Sequence, residues 1–213
     1  MTKCALVIGH MPNSPGAVNQ TAGLTEFAFN DQLATDIISQ VNGVEVERVY
    51  RDTYRGLPAK INALNADFII SMHCNAFNKQ ASGSEVLYYH SSTRSKAVAD
   101  ILQKKFVTAL GIKDRGIKSK TSEDRGGYLL RYTNAPCVIT EPFFIDNDDE
   151  LNIVNQNRDA LVQAYASSII DIAAMLGNPS DASTNAPATD NDNSTDTVAT
   201  DTNEEFDEED IGF

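Results

Sequence analysis

The stretch Phe68–His73 reads FIISMH, five mostly apolar residues followed directly by a histidine. Two other stretches have the same form. Cys4–Ile8 (CALVI) is followed, after one glycine, by His10, and Cys137–Thr140 (CVIT) is followed by Glu141. Short apolar runs of this kind are typical of strands buried on both faces of a sheet. Each of the three polar residues is therefore predicted to stand at the carboxyl end of a buried strand.

Longer amphipathic stretches separate these apolar runs. Between Leu24 and Val41 the apolar residues recur at close to helical spacing, which predicts a helix. Two further strands are predicted at Val44–Tyr50 and Glu85–Tyr89. Further helices are predicted at Leu57–Leu64, at Ser95–Leu110 and within Leu151–Leu176. Strands that alternate with helices predict the α/β class, with a sheet covered on both faces. We expect one such domain over residues 1–176.

The acidity of the chain is concentrated at its C-terminal end. The formal net charge is −13, but residues 177–213 hold 11 acidic residues and no lysine or arginine. Residues 1–176 carry 19 acidic against 17 basic residues, a net charge of −2. The acidic segment has almost nothing to bury, so we predict a disordered tail. Neither part has the basic stripe that binds phosphate backbones, so no direct nucleic-acid binding is expected.

Cysteine usage and hydropathy argue against a disulfide-rich domain, a membrane span and a secretory signal. Cys4, Cys74 and Cys137 are scattered beside apolar residues and indicate buried thiols rather than a disulfide framework. No apolar run approaches the roughly 20 residues that cross a bilayer, so no membrane span is expected. The five-residue apolar run near the start is shorter than the roughly 7–15 residues of a secretory signal. We expect cytoplasmic synthesis without an export signal.

The three polar residues at strand ends indicate a catalytic metal site. In open α/β sheets ligands gather at the carboxyl ends of the strands, so His10, His73 and Glu141 are expected on one rim. Catalytic zinc takes three protein ligands, and two histidines with one carboxylate form a recognised set. Glu26 is the predicted third ligand, because it opens the first helix directly after the loop that leaves His10. Glu141 is then predicted as the carboxylate that takes a proton from water and returns it to the leaving amine.

Each of these residues has an alternative interpretation. A histidine at a strand end can be a hydrogen-bonded structural residue, and a glutamate early in a helix can complement the helix dipole. Glu141 precedes Pro142 and can be a turn carboxylate. Only the joint placement favours a metal site. His90 is interpreted as a surface residue or a neighbour of the site, and the acidic cluster Asp146–Glu150 as a solvated loop or helix start.

From residue 4 to about 175 the chain resembles the zinc-dependent N-acetylmuramoyl-L-alanine amidases. The matching segments, in order, are Val7–His10, Leu24–Glu26, Tyr50–Asp52, Asn65–Ala76, Gly83–Tyr89, Asp114–Lys118, Leu129–Arg131 and Ala135–Asn147. The loop after His10, MPNSPG, departs from the glycine-rich form of the family, and Lys60 stands where an arginine is usual.

The resemblance carries specific expectations. It implies a six-stranded, mixed, mostly parallel sheet flanked by helices. It implies one Zn²⁺ per chain, held by His10, Glu26 and His73, with Glu141 as the catalytic carboxylate. Asn75 and Arg131 are expected to contact the substrate. That substrate is peptidoglycan or a muropeptide, cut at the amide bond between N-acetylmuramic acid and L-alanine.

The last eight residues, FDEEDIGF, resemble the acidic tip of bacterial single-stranded DNA-binding proteins, with Gly212 where proline is usual. This resemblance implies a protein partner with a basic pocket, contacted by Asp210, Ile211 and Phe213. A tail that only solubilises the protein is the alternative.

Two other functions stay open. One is a zinc carboxypeptidase-like peptidase on the same architecture, which an arginine that anchors a substrate carboxylate in the pocket would favour. The other is a non-catalytic wall-binding module, which the presence of all four chemical residues disfavours. The expected setting is a phage lysis enzyme, or a cell-wall remodelling amidase, that reaches the wall after release.

Overall fold

A six-stranded sheet forms the centre of the protein in the computed structural model, which describes residues 1–177. Its strands are β1 (Lys3–Ile8), β4 (Glu45–Tyr50), β5 (Phe68–Met72), β6 (Ser84–Tyr89), β7 (Asp114–Lys120) and β8 (Cys137–Glu141). Their spatial order is β4-β1-β5-β8-β6-β7. A separate ribbon pairs β2 (Val18–Asn19) with β3 (Leu24–Thr25).

Helices cover both faces of the sheet. Within residues 1–177 they are α1 (Glu26–Gln40), α2 (Leu57–Asn62), α3 (Thr93–Leu110), α4 (Gly127–Tyr132), α5 (Asp148–Gln156) and α6 (Arg158–Gly177). One core cluster joins the sheet to α1, α3, α5 and α6. The second cluster joins the opposite face to α2 and α4. The predicted α/β class with a mixed, mostly parallel six-stranded sheet is confirmed.

The direction of the strands decides which residues meet. Strands β4, β1, β5 and β8 run parallel, so their carboxyl ends form one rim. Strand β6 runs antiparallel to β8, and β7 runs parallel to β6. This reversal brings the start of β6 to the same rim, where Glu85 pairs with Glu141. His90, which follows β6, lies at the opposite end of the sheet and is exposed.

Side-chain alternation along β5 separates the two faces. Phe68, Ile70 and Met72 belong to the core under α1, α3 and α6, whereas Ile69 belongs to the core under α2 and α4. Because successive residues of a strand point to opposite faces, His73 continues the α2/α4 face. Cys74 belongs to the core on the other face and is fully buried. All three cysteines are free and buried, as predicted.

The acidic segment after β8 begins a helix and fixes two loops. Asn147 caps α5 and accepts hydrogen bonds from the backbone N–H groups of Asp149 and Glu150. Glu150 is buried, and its carboxylate accepts from Gly83 N (2.6 Å) and Phe144 N (2.7 Å). The predicted helix start is therefore present, but Glu150 is not solvated. It ties the loop before β6 to the segment that leaves β8.

The fold differs from the sequence-based prediction in several elements. The edge strand β7 was not assigned from the residue pattern, and the stretch Leu151–Leu176 holds parts of two helices rather than one. Within residues 1–177, α6 is long and apolar enough to cross a membrane by length and composition, whereas the apolar runs of the sequence predicted no membrane span. Its buried residues, including Tyr165 and Ile169, pack in the protein core. The predicted disordered tail lies, beyond Gly177, outside the described residues.

Candidate metal centre and its neighbouring carboxylates

Three predicted ligands converge at the rim. His10 follows β1, His73 follows β5, and Glu26 is the first residue of α1. His10 Nε2 lies 3.2 Å from Glu26 Oε2, and His73 Nδ1 lies 3.0 Å from Glu26 Oε1. One ligand atom from each residue lies within 4.8 Å of the other two, and all three side chains are buried. Among residues 1–177 this is the group of histidine, cysteine and acidic side chains that could hold a metal ion.

The backbone around His10 has an unusual shape that brings its ring to the site. His10 has a φ of 66°, in the left-handed region that non-glycine residues rarely adopt. Gly9 lets β1 approach β5 closely, since a Cβ at this position would lie 2.6 Å from the His73 ring. Gly16 lies against His10 and Glu26, because a Cβ there would lie 2.5 Å from His10 Cδ2 and 2.7 Å from Glu26 Oε2. Two glycines therefore leave the space that the ligands occupy.

The Glu26 carboxylate is fully buried and fully engaged. Oε1 accepts a hydrogen bond from the Cys74 backbone N–H (2.9 Å), and Oε2 accepts one from the Ala17 backbone N–H (3.1 Å). Burial would raise the pKa of Glu26, but the hydrogen bonds from His10 and His73 outweigh burial and lower this pKa to about 2. Burial also lowers the pKa of His73, which favours the neutral imidazole despite the attraction of Glu26. Neutral imidazoles and an ionised carboxylate are the forms that bind metals.

This donor set fits a catalytic metal. Two imidazoles and one carboxylate are a ligand set that zinc uses in catalytic sites, where a fourth position stays open for water or substrate. Cys74 does not compete for the ion, because its Sγ lies in the core on the other face, 3.8 Å from Asn30 Oδ1. The structure thus brings together the three residues that the sequence predicted as ligands.

Glu141, the predicted catalytic carboxylate, ends the strand next to β5. Met72 pairs with Thr140 across β5 and β8, and the His73 backbone N–H donates to the carbonyl of Thr140 (3.0 Å). His73 and Glu141 therefore follow side by side at the ends of the two strands. Glu141 is only 2% exposed, and its Oε2 accepts no hydrogen bond within residues 1–177. Burial, followed by the negative charges of Glu26 and Glu85, raises the pKa of Glu141 well above its usual range. Glu141 therefore holds its proton more strongly than an ordinary carboxylate.

The two predicted substrate contacts lie in different places. Asn75 is two residues beyond His73, on the same face, and its amide donates to Glu85 Oε1 (2.8 Å). Arg131 lies on α4, and its guanidinium donates to the hydroxyl of Tyr89, at the end of β6 opposite Glu85. The structure brings Asn75 to the rim and does not bring Arg131 there. The substrate-binding roles of both residues stay predictions.

Other residues at the rim were not predicted as site residues. A small cavity on the α2/α4 face adjoins both imidazoles and includes Arg51, Tyr54 and Ser71 in its lining. Arg51 directly follows β4, the same signal that identified His10, and could have been found in that way. Arg125 acts electrostatically on Glu141 from the loop before α4. The sequence gives no local signal for Arg125, because its loop follows β7 rather than one of the strands β4, β1, β5 and β8 that end at the rim.

Comparison with known proteins identifies relatives of this chain. Residues 4–171 match the family described as N-acetylmuramoyl-L-alanine amidase. The N-acetylmuramoyl-L-alanine amidase LytC of Bacillus subtilis is 27% identical over 157 residues, covering 70% of this chain and 30% of its own length. The endolysin of Bacillus phage SPP1 is 32% identical over 122 residues, covering 53% of this chain and 42% of its own length. This chain therefore spans less than half the length of either relative.

A solved structure of a catalytic domain is also similar to this chain. The catalytic domain of CwlV, an N-acetylmuramoyl-L-alanine amidase from Bacillus (Paenibacillus) polymyxa, superposes with a TM-score of 0.69 at 25% identity. The match covers 80% of this chain and 97% of that domain.

We predict that Gly16→Ala weakens Zn²⁺ binding at least tenfold, because the new Cβ displaces His10 or Glu26 and a factor of ten needs only about 1.4 kcal/mol. Gly23→Ala is the matched control. Gly23 also has a positive φ, 62° against 76° for Gly16, but a Cβ there meets nothing within 4 Å. Competition with a chromophoric chelator measures both affinities. Equal affinities of the two variants would show that Gly16 does not shape the metal site.

Proposed function

The chain belongs to the N-acetylmuramoyl-L-alanine amidase family, and on that basis we propose that it hydrolyses the amide bond between N-acetylmuramic acid and L-alanine in peptidoglycan or muropeptides, with one Zn²⁺ as cofactor. The observation that carries the proposal is the convergence of His10, Glu26 and His73 at the rim where Glu141 also ends its strand. A binding module without turnover would not need this combination of a metal ligand set and a buried acid.

The proposed mechanism assigns a separate task to each residue. His10, Glu26 and His73 would hold the zinc ion, which would act as a Lewis acid on the scissile carbonyl and on water. Glu141 accepts the proton of the attacking water. It then returns that proton to the amine of L-alanine as this group leaves. A carboxylate whose pKa is raised toward the working pH suits both transfers, since it is a stronger base and a competent acid.

One observation favours the peptidase alternative. Arg51 lines the cavity beside His10 and His73, where a guanidinium could anchor a substrate carboxylate. The family match favours the amidase. The two candidates differ in the bond they cut: an amidase frees the amino group of L-alanine from the glycan strand, whereas a carboxypeptidase removes a residue from the end of the stem peptide.

The relatives support a proposal about the biological setting. One relative is a phage endolysin and another is a bacterial amidase. We therefore propose that the protein acts on the cell wall after release from the cytoplasm, as a lysis enzyme or as a remodelling amidase.

Replacing Glu141 with glutamine tests the assignment of the catalytic carboxylate. We expect Glu141→Gln to bind zinc like the native protein and to lose roughly 10²–10⁴-fold in turnover, the usual contribution of general acid–base catalysis. Glu47→Gln, which neutralises a half-exposed side chain on β4, serves as the control and should keep native turnover. Zinc is measured by atomic emission and turnover by release of soluble peptide. If Glu141→Gln lost its zinc or kept near-native turnover, the roles of Glu141 and Glu26 would have to be reassigned.

The C-terminal tip is proposed to bind a protein partner with a basic pocket through Asp210, Ile211 and Phe213. We expect removal of residues 178–213 to change hydrolysis of soluble muropeptides by no more than about twofold, since terminal polar segments usually tolerate truncation. Deleting Ile211–Phe213 should abolish partner capture in pull-downs from host lysate. Identical captured proteins with and without these residues would leave only the solubilising role. A loss of hydrolysis on truncation would contradict both roles.

A further inference from the structure

Three tyrosines on the α2/α4 side of the sheet contact one another in a row, which we call the tyrosine strip. Tyr54 precedes α2, and Tyr128 and Tyr132 lie on α4. The ring centroids of Tyr54 and Tyr128 lie 5.6 Å apart, and those of Tyr128 and Tyr132 lie 4.7 Å apart. Tyr54 also lines the cavity that adjoins His10 and His73. The strip therefore begins at the candidate metal centre and ends at the last residue of α4.

The tyrosine strip lies outside the apolar core. The core cluster that joins α2 and α4 to the sheet contains none of the three tyrosines. Its members from these two helices are Leu57, Ile61, Leu129 and Leu130. Tyr132 is 52% exposed, and Tyr54 and Tyr128 are partly exposed. Exposed aromatic surface that the core does not use is typical of a binding site, where aromatic rings supply large contact areas.

Hydrogen bonds between the two helices hold the tyrosine strip in place. The Tyr128 hydroxyl donates to the backbone carbonyl of Arg55 (3.2 Å). Asn62, at the end of α2, donates to the carbonyl of Tyr132 (2.9 Å) and accepts from the Asn134 backbone N–H (2.8 Å). A surface that is already ordered loses little conformational entropy when a ligand binds. The strip is thus a preformed surface.

The segments that form this side of the protein are positively charged. Residues 51–64 and 120–134 contain α2, α4 and their adjoining loops, and together they carry six basic and three acidic residues. The rest of residues 1–176 carries 11 basic and 16 acidic residues. The positive charge is therefore local to the α2/α4 side, and it favours an anionic ligand there.

Arginines accompany the tyrosine strip along its length. The Arg51 guanidinium lies over the Tyr54 ring, 5.9 Å from its centroid, and the Arg131 guanidinium lies over the Tyr132 ring at 5.7 Å. Arg55 is exposed between α2 and the cavity. A ligand of this surface should therefore combine groups that pack on aromatic rings with groups that bind guanidinium.

A glycan strand with free carboxylates meets both requirements. Pyranose rings present C–H groups, whose partial positive charge is attracted to the negative face of an aromatic ring. Hydrolysis of the bond between muramic acid and L-alanine leaves a lactyl carboxylate on the sugar. The glycan product of the proposed reaction is therefore a chain of sugar rings with regularly placed negative charges. Guanidinium groups bind carboxylates strongly, often through two parallel hydrogen bonds.

We propose that the tyrosine strip and its arginines bind the stem-free glycan strand that the reaction produces. Because the strip begins at the cavity beside His10 and His73, the strand would extend from the metal centre along α4. This contact would keep the enzyme on a strand from which it has already removed peptides. The identity of the ligand rests on the proposed function, but its binding does not require turnover and is measured separately.

Tyrosine fluorescence measures this binding directly, because the chain contains seven tyrosines and no tryptophan. The probe is a stem-free oligosaccharide of N-acetylglucosamine and N-acetylmuramic acid, which has no bond to L-alanine for the enzyme to cut. It is titrated into the full-length, zinc-loaded protein. A chitin oligosaccharide of equal length lacks the lactyl carboxylates and is the comparison ligand. We expect it to bind roughly tenfold more weakly, because the charge-assisted hydrogen bonds are lost.

Substitutions separate the contribution of the rings from that of the charges. Tyr132→Ala removes the most exposed ring of the strip and should weaken binding of the stem-free glycan about tenfold. Tyr132→Phe keeps the ring and should stay within about twofold of the native protein. Arg55→Gln should weaken binding about threefold at low salt, and this difference should vanish at about 1 M salt, where charges are screened.

Tyr50→Ala is the matched control for the loss of an exposed ring. Tyr50 is 41% exposed, but its ring lies beside Phe27 of α1, on the other side of the sheet. This variant should bind the stem-free glycan like the native protein.

Three results would overturn the proposal. The first is equal affinity of Tyr132→Ala and the native protein for the stem-free glycan. The second is equal affinity of the native protein for this glycan and for the chitin oligosaccharide. The third is a loss in Arg55→Gln without one in Tyr132→Ala, which would indicate a site for any anionic polymer. If the native protein hydrolyses no muropeptide, the proposed function fails, but the glycan titration still decides whether the strip binds this strand.

Discussion

The buried carboxylate of Glu26, at the start of α1, contacts both the loop after β1 and the end of β5. It contacts the loop after β1 through Ala17 and His10, and the end of β5 through His73 and the Cys74 backbone. A fully buried carboxylate is costly unless hydrogen bonds and opposite charges compensate it. Four partners do so here, and each fixes part of the site. The cost of burying one charge thus determines the geometry of both imidazoles, and a bound metal ion would add to the compensation.

The antiparallel direction of β6 adds a further carboxylate, Glu85, to the rim. Parallel strands β1, β5 and β8 deliver their C-terminal residues to one edge, whereas β6 delivers its start. Glu85 therefore meets Glu141, and Arg115 on β7 reaches Glu85 from the edge of the sheet. The two histidines follow parallel strands, whereas Glu85 and Glu141 meet because β6 runs antiparallel to β8. This arrangement gives the rim one ionised carboxylate among the imidazoles, one held by an arginine, and one left without hydrogen bonds at Oε2.

Much of this site could be predicted from local patterns. The positions of His10, His73 and Glu141 could be predicted because each follows a short apolar run that is typical of a buried strand, and the residues after such strands lie at the rim. The residue pattern did not predict strand β7, because its sequence is mostly polar. This composition agrees with its position at the edge of the sheet, where none of its residues is fully buried. Glu85 was missed because pairing and direction of strands are long-range properties that no local pattern encodes. Arg131 was carried over from a motif, and its contacts with Tyr89 depend on how α4 packs.

The identity of the bond that is cut tests the central claim most directly. Purified peptidoglycan is digested with native protein, with protein treated with a chelator, and with chelated protein restored by Zn²⁺, and the fragments are analysed by mass spectrometry. The account predicts stem peptides with a free amino-terminal L-alanine and glycan strands with free lactyl carboxylates, absent after chelation and restored by zinc. Shortened stem peptides still attached to muramic acid, or undiminished amidase products in the chelated sample, would contradict it.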